Sequence, residues 1–203
     1  MKISLYNQSG FSLVETLVAI SLLLIVIVGP MTISAKSAKS STFATEQIQA
    51  FFLAQEGLEL AQKARDDMQL EYFMDLGTTN PTPWSNFMDS SAGGVYKNCF
   101  NPTGCGLAWT GGAVGELTVT NCGACLLYKN ANTAARAHYT YWPNGVINTP
   151  TIFTRKIYFE TSGGLDTDRE VRVRSVVTWR TGSIVADQKV ELDSYLYNTY
   201  DNP

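Results

Sequence analysis

The chain has 203 residues, a formal net charge of −3 and 45% hydrophobic residues. An ordinary hydrophobic share excludes a polytopic membrane protein, and the acidic balance argues against a surface that coats nucleic acid. Gly, Asn, Ser, Thr and Tyr are plentiful in the second half while Lys is sparse, which suits an exported, loop-rich β surface.

The chain begins with a short polar stretch, Met1–Gly10, whose only positive charges are Lys2 and the amino terminus. Gly10-Phe11-Ser12-Leu13-Val14-Glu15 then opens an apolar run through Leu17, Val18, Ile20 and Leu22 to Val28. As a helix, Phe11 to Ala35 spans about 37 Å at about 1.5 Å per residue. That is enough to cross about 30 Å of hydrocarbon. Positive charge stays cytoplasmic, so the run should insert with its C-terminal end outside. Glu15 is the one charge in this stretch, and a carboxylate there costs about 2.5–3.5 kcal/mol, which makes it a functional candidate.

The Gly10–Glu15 pattern and the run behind it resemble the N-terminal signature of type IV prepilins and pseudopilins. The resemblance implies roles residue by residue. A prepilin peptidase cuts between Gly10 and Phe11, and Phe11 becomes an N-methylated terminus. Glu15 pairs with the Phe11 ammonium of a neighbouring subunit, which removes most of the cost of a lone charge in lipid. The implied partners are the prepilin peptidase, other pilin or pseudopilin subunits and the membrane. The rival reading is a secreted or membrane-anchored, disulfide-containing binding module whose ordinary secretory signal has Leu17–Val28 as its apolar core and is cleaved near Ala35. Glu15 opposes it by placing a negative charge where export signals avoid one. Alternatively, Glu15 is a carboxylate merely solvated at headgroup depth.

Gly29-Pro30 should kink the helix, or else end it. Beyond the small, polar Ser37–Thr45, Ala44, Ile48, Phe51, Phe52, Leu58, Ala61 and Ala64 recur at three- and four-residue spacing and predict an apolar helix face. Gly57 weakens that helix by about 1 kcal/mol relative to Ala. The run Leu53-Ala54-Gln55-Glu56-Gly57-Leu58-Glu59 is similar to minor pilins and pseudopilins. One helix from Phe11 to about Met68 would be far longer than a globular domain needs.

Thr78–Pro83 is a breaker cluster. The stretch to about Pro150 is rich in Gly, Asn and aromatics, Trp84, Phe87, Tyr96, Phe100, Trp109, Tyr128, Tyr139, Tyr141 and Trp142 among them. They either fill a small core or form a binding face. The chain's four cysteines, Cys99, Cys105, Cys122 and Cys125, all fall here. After an export segment an even count reads as two disulfides, with zinc as the weaker alternative because Cys99-x5-Cys105 is loose for a knuckle. A nested pair (Cys99–Cys125 with Cys105–Cys122) or two local loops remain open.

The clearest β signal is at the end. Ile152–Glu160 is β-branched and aromatic. In Arg169–Arg180, Val171, Val173, Ser175, Val177 and Trp179 share one face, with Glu170, Arg172, Arg174, Val176, Thr178 and Arg180 on the other. Thr181-Gly182-Ser183 reads as a three-residue turn into Ile184–Tyr197, where Ile184, Ala186, Val190, Leu192 and Leu196 share a side. A one-faced antiparallel sheet needs a cover, and the helix around Ile48–Ala64 supplies an apolar stripe.

The expected fold class is α+β and pilin-like: a long N-terminal helix, its first half transmembrane, packed on a C-terminal antiparallel sheet, with a disulfide-stapled, loop-rich insert. The expected divisions are 1–10 leader, 11–35 transmembrane half, 36–68 amphipathic half, 69–150 variable region and 151–203 sheet. Catalysis has no constellation behind it: one histidine, His138, no G-x-S-x-G and no P-loop, so no enzyme and no cofactor or metal is expected. Asp166-x-Asp168-x-Glu170 lacks the calcium-loop pattern and reads as a turn. Arg172, Arg174 and Arg180 could meet DNA phosphates, but with Glu170 and Glu191 nearby they read as a solvated face.

Overall fold

The computed structural model describes residues 10, 12–74, 82–109, 117–130, 139–143, 148–161, 164, 166–182 and 186–199. Phe11, most of the breaker cluster, His138, Ser183 and Ile184 lie outside the described residues. The chain divides into two compact units, Met1–Thr45 and Glu46–Pro203. One helix, α1 (Leu13–Met74, 62 residues), contributes to both. It carries Pro30 inside it, so an end at Gly29-Pro30 is overturned, and it extends past the expected Met68.

In the first unit α1 presents bulky apolar side chains on every side: Leu17, Ile20, Leu24, Ile25, Val28 and Ile33 are all exposed. A helix apolar all round needs a non-aqueous or protein surround. Three hydroxyls of its apolar stretch are satisfied within the helix. Thr16 donates to the Leu13 carbonyl at 2.9 Å, Ser21 to Leu17 at 2.8 Å and Thr32 to Gly29 at 2.8 Å. Those three hydroxyls therefore bring no free donor into lipid.

The second unit is α+β. A short helix α2 (Pro83–Phe87) starts at Thr82, whose hydroxyl accepts from the Ser85 amide, with Pro83 in the first turn where its missing N–H costs nothing. A 3₁₀ turn covers Lys97–Phe100. Among the described residues seven strands follow: β1 (Cys105–Trp109), β2 (Leu117–Asn121), β3 (Leu126–Asn130), β4 (Tyr139–Thr140), β5 (Asn148–Glu160), β6 (Glu170–Trp179) and β7 (Gln188–Tyr197). All pairings are antiparallel. Long β5 is the hub: β6 lies along one edge, while β3 and β1 share the other.

Burial alternates strictly along β6, with Val171, Val173, Ser175, Val177 and Trp179 inside, as the sequence pattern requires. Phe153, Arg155, Ile157 and Phe159 do the same on β5. The β6–β7 hairpin differs from expectation. Trp179 pairs with Gln188, so the connection is 180–187 and not a three-residue turn. Ala186 is exposed outside the strand, while Val190, Leu192 and Leu196 keep their inward side. The reason is parity. Inward residues are odd-numbered on β6 and even-numbered on β7, so in-register pairs must sum to an odd number, as Val177 with Val190 does. A turn of Thr181–Ser183 would pair Arg180 with Ile184 and set every inward residue against an outward one.

The helix face is also corrected. Ile48, Phe51 and Phe52 are 58%, 46% and 61% exposed, and Ala44 is exposed as well. Ala61 and Ala64 are buried as expected, but α1 joins to them Ala50, Ala54 and Gly57 with Leu53 and Leu60. Small residues let the helix backbone come down onto the sheet. A Cβ at Gly57 would collide with Ser175 Oγ and sit 3.2 Å from Ser175 Cβ and 3.3 Å from Arg155 Cδ. The bulky apolar residues are thereby turned outward.

Most aromatics of the middle region are core. Phe87 lies 5.2 Å from Phe159 and 5.5 Å from Tyr96 between ring centroids, and Phe100 lies 5.4 Å from Phe159. Trp84 donates its indole N–H to the Thr167 carbonyl at 3.0 Å. Trp109 and Trp142 stay exposed.

Candidate functional site

The N-terminal segment is the first candidate. Gly10 has open space around it. The Ser12 carbonyl accepts from the Thr16 amide at 3.2 Å and so starts α1. Glu15 lies in the first turn of α1, exposed, where the helix dipole favours a negative charge. Between Glu15 and Lys36 lie 20 residues without a charge. At about 1.5 Å each they match the ~30 Å hydrocarbon core. Among the described residues α1 is the one helix long and apolar enough to cross a membrane. Glu15 therefore stands at the edge of a spanning segment whose other end is marked by Lys36 and Lys39.

The cysteines form two local loops, Cys99–Cys105 and Cys122–Cys125, with Cα atoms 4.6 and 5.0 Å apart. The nested pairing is absent. A tight turn explains the first bridge: the Gly104 amide donates to the Asn101 carbonyl at 2.9 Å, and Gly104 takes φ +71°. That folds Cys99 back onto the start of β1. The second bridge closes the β2–β3 connection, where Cys125 adopts φ +51°.

A buried cation went unnoticed in the sequence. Arg155 is wholly buried on β5. It donates from Nε to the Tyr141 hydroxyl at 2.9 Å, from Nη1 to the Leu53 carbonyl at 3.1 Å and the Glu56 carboxylate at 2.8 Å, and from Nη2 to the Leu107 carbonyl at 3.1 Å. Burial alone would lower its pKa, but Tyr141 and Glu56 outweigh burial and the net shift is upward. Burial raises the Tyr141 phenol, against the opposing pull of Arg155. One side chain thus ties α1, β1, β5 and the segment after β4 together. The signal was available: Arg155 occupies an inward position in the alternation of β5, where an apolar residue is the rule.

The outward arginines are neutralised. Arg172 bonds Asp193 at 2.7 Å and lies 3.5 Å from Glu160. Arg174 pairs with Glu160 and with Glu191 at 3.2 Å, and its guanidinium sits 4.9 Å from the Tyr158 ring centroid. Arg180 pairs with Asp187. Lys189 first, then Arg174, holds the Glu191 carboxyl below its usual range. Asp166 forms a turn into β6, its carboxylate accepting from the Asp168 amide at 3.2 Å and its carbonyl from the Glu170 amide at 2.7 Å. No group of three or more His, Cys, Asp or Glu placed to hold a metal ion occurs among the described residues.

Residues 5–29 match the family model described as the prokaryotic N-terminal methylation motif. No curated protein and no solved structure matches the chain. The matched span includes Gly10, Phe11 and Glu15, and it supports a type IV pilin-like, prepilin-processed protein anchored through its N-terminal helix.

Proposed function

We propose that this chain is a minor structural subunit of a type IV pilus, a competence pilus or a type II secretion pseudopilus. A prepilin peptidase removes Met1–Gly10 and leaves Phe11 as a methylated terminus. The segment from Phe11 to Ala35 then holds the subunit in the cell membrane, its second unit outside the cytoplasm, until assembly. The observation that carries this reading is the Gly10-Phe11-x-x-x-Glu15 pattern leading directly into 20 uncharged residues.

Glu15 gives assembly its specificity. A lone carboxylate costs about 2.5–3.5 kcal/mol at the centre of a spanning helix and less toward its edge. The Phe11 ammonium of a neighbour offsets most of it and fixes an axial offset between subunits. The exposed apolar surface of α1 serves both states, lipid before assembly and other subunits afterwards. The ordinary signal-peptide reading has less support. α1 runs through Ile33-Ser34-Ala35 as unbroken helix and offers a peptidase no extended segment.

The test is processing and incorporation in cells. Gly10→Ala should leave a precursor band, because even a methyl crowds the peptidase site. Glu15→Ala should remain membrane-bound and processed yet fail to enter filaments. Normal processing of the first variant, or normal incorporation of the second, contradicts the corresponding role.

A further inference from the structure

The second unit carries an open groove of about 210 Å³. Glu56, Glu59, Leu60 and Lys63 of α1 form one wall, and Trp109 of β1 and Tyr139 of β4 form the other. Small-molecule sites run to about 300–1,000 Å³. This groove is sized for one side chain instead.

Its charges select the occupant. Lys63 is engaged by both oxygens of Asp67, each at 2.8 Å. Glu56 uses Oε2 on Arg155, and its side chain is still 35% exposed. Glu59 bonds only the neutral Gln55 amide among the described residues, at 3.2 Å. The groove therefore offers the Glu59 carboxylate, without an ion-pair partner among the described residues, and a second carboxylate oxygen, with two aromatic rings in the same lining. Trp109 is 48% exposed, an unusual state for the largest apolar side chain. A planar guanidinium stacks on such a ring and forks onto a carboxylate, which an ammonium does less well. The protein already holds one guanidinium this way: Arg174 lies 4.9 Å from the Tyr158 ring centroid with Glu160 and Glu191 as its carboxylates.

We infer that this groove binds an arginine side chain presented by a partner protein, with Trp109 as the stacking surface and Glu59 as the counter-charge. The site does not depend on how the N-terminus is processed.

The test uses the full chain in a neutral detergent. The peptide acetyl-Gly-Arg-Gly-amide is titrated while the indole N–H resonances of Trp84, Trp109, Trp142 and Trp179 are followed by NMR. The peptide with citrulline in place of arginine serves as the neutral isostere. The expected result is a saturable shift of Trp109 alone, with Kd of about 1 mM. Citrulline and the Glu59→Gln variant should each weaken binding by about tenfold, as expected for loss of a charge-assisted bond. Glu59 takes no part in the Arg155 network, so unchanged Trp84 and Trp179 resonances report an intact fold in that variant. No saturable shift, equal binding of citrulline, or an equal shift at Trp142 overturns the site.

Discussion

Replacing Glu56 by Gln strands a buried positive charge. Arg155 has no exposure, and Glu56 is its one carboxylate partner among the described residues. Removing one member of a buried pair costs about 3–5 kcal/mol. Arg155→Met acts differently. The Tyr141 hydroxyl and the Leu53 and Leu107 carbonyls lose a donor, at about 1–3 kcal/mol for a group left fully unpaired. Glu56 itself is a third exposed and turns to water. Methionine fills much of the volume, so a total of about 2–3 kcal/mol is expected. The double variant should then be no worse than Arg155→Met alone, because no cation remains to be stranded. Thermal unfolding of the full chain in neutral detergent, read by near-UV circular dichroism, measures this. For a unit of this size each kcal/mol shifts Tm by about 2–4 °C, so Glu56→Gln should lower it by roughly 6–20 °C. A Glu56→Gln loss under ~1 kcal/mol, or additive single variants, would refute the view that Glu56 compensates a desolvated cation.

Gly57→Ala should destabilise the second unit despite a gain of about 1 kcal/mol in helix propensity. The new Cβ meets Ser175 Oγ, and overpacking costs about 1–3 kcal/mol. Pairing it with Ser175→Ala should recover most of the loss in urea unfolding. Burial first, then Asp67 and Glu71, pushes the Tyr96 phenol up to about 12 from an ordinary 10.0. The folded state thus keeps a proton that the unfolded chain releases. The contribution is complete below pH 10 and is lost as pH rises toward 12, at roughly 2–3 kcal/mol for the full shift. Tyr96→Phe should flatten that alkaline limb in a stability-versus-pH profile, and an unchanged limb would contradict the assignment.

Much of the architecture is legible in the sequence because binary patterning is a backbone property. The alternation Val171–Trp179 dictates a half-buried strand whatever surrounds it. The β6–β7 register was legible too, though only by comparing the parity of the two inward sets; the Gly182 turn signal pointed to a shorter connection. Turn chemistry is local, and here the sheet's inward faces overruled it. The helix face misled for a related reason. Hydrophobic size ranks Ile48, Phe51 and Phe52 above Ala50, Ala54 and Gly57, yet a helix lying directly on a sheet selects small residues. Their 4-3-4-3 spacing from Ala50 to Ala64 carried that information. Arg155 was hidden because three of its four partners are 48 to 102 residues away in the chain. The cysteine pairing was likewise undetermined until the Gly104 turn placed Cys99 beside Cys105. The Gly10–Glu15 pattern was readable as a motif, since it lies in the order of residue types and not in tertiary contacts.

The central claim is the maturation of the N-terminus. Intact-mass and N-terminal fragment analysis of the protein isolated from its native membrane or filament tests it directly. The account predicts a chain that begins at Phe11 with one added methyl group. A mature chain beginning at Lys36, or one that keeps Met1, contradicts it.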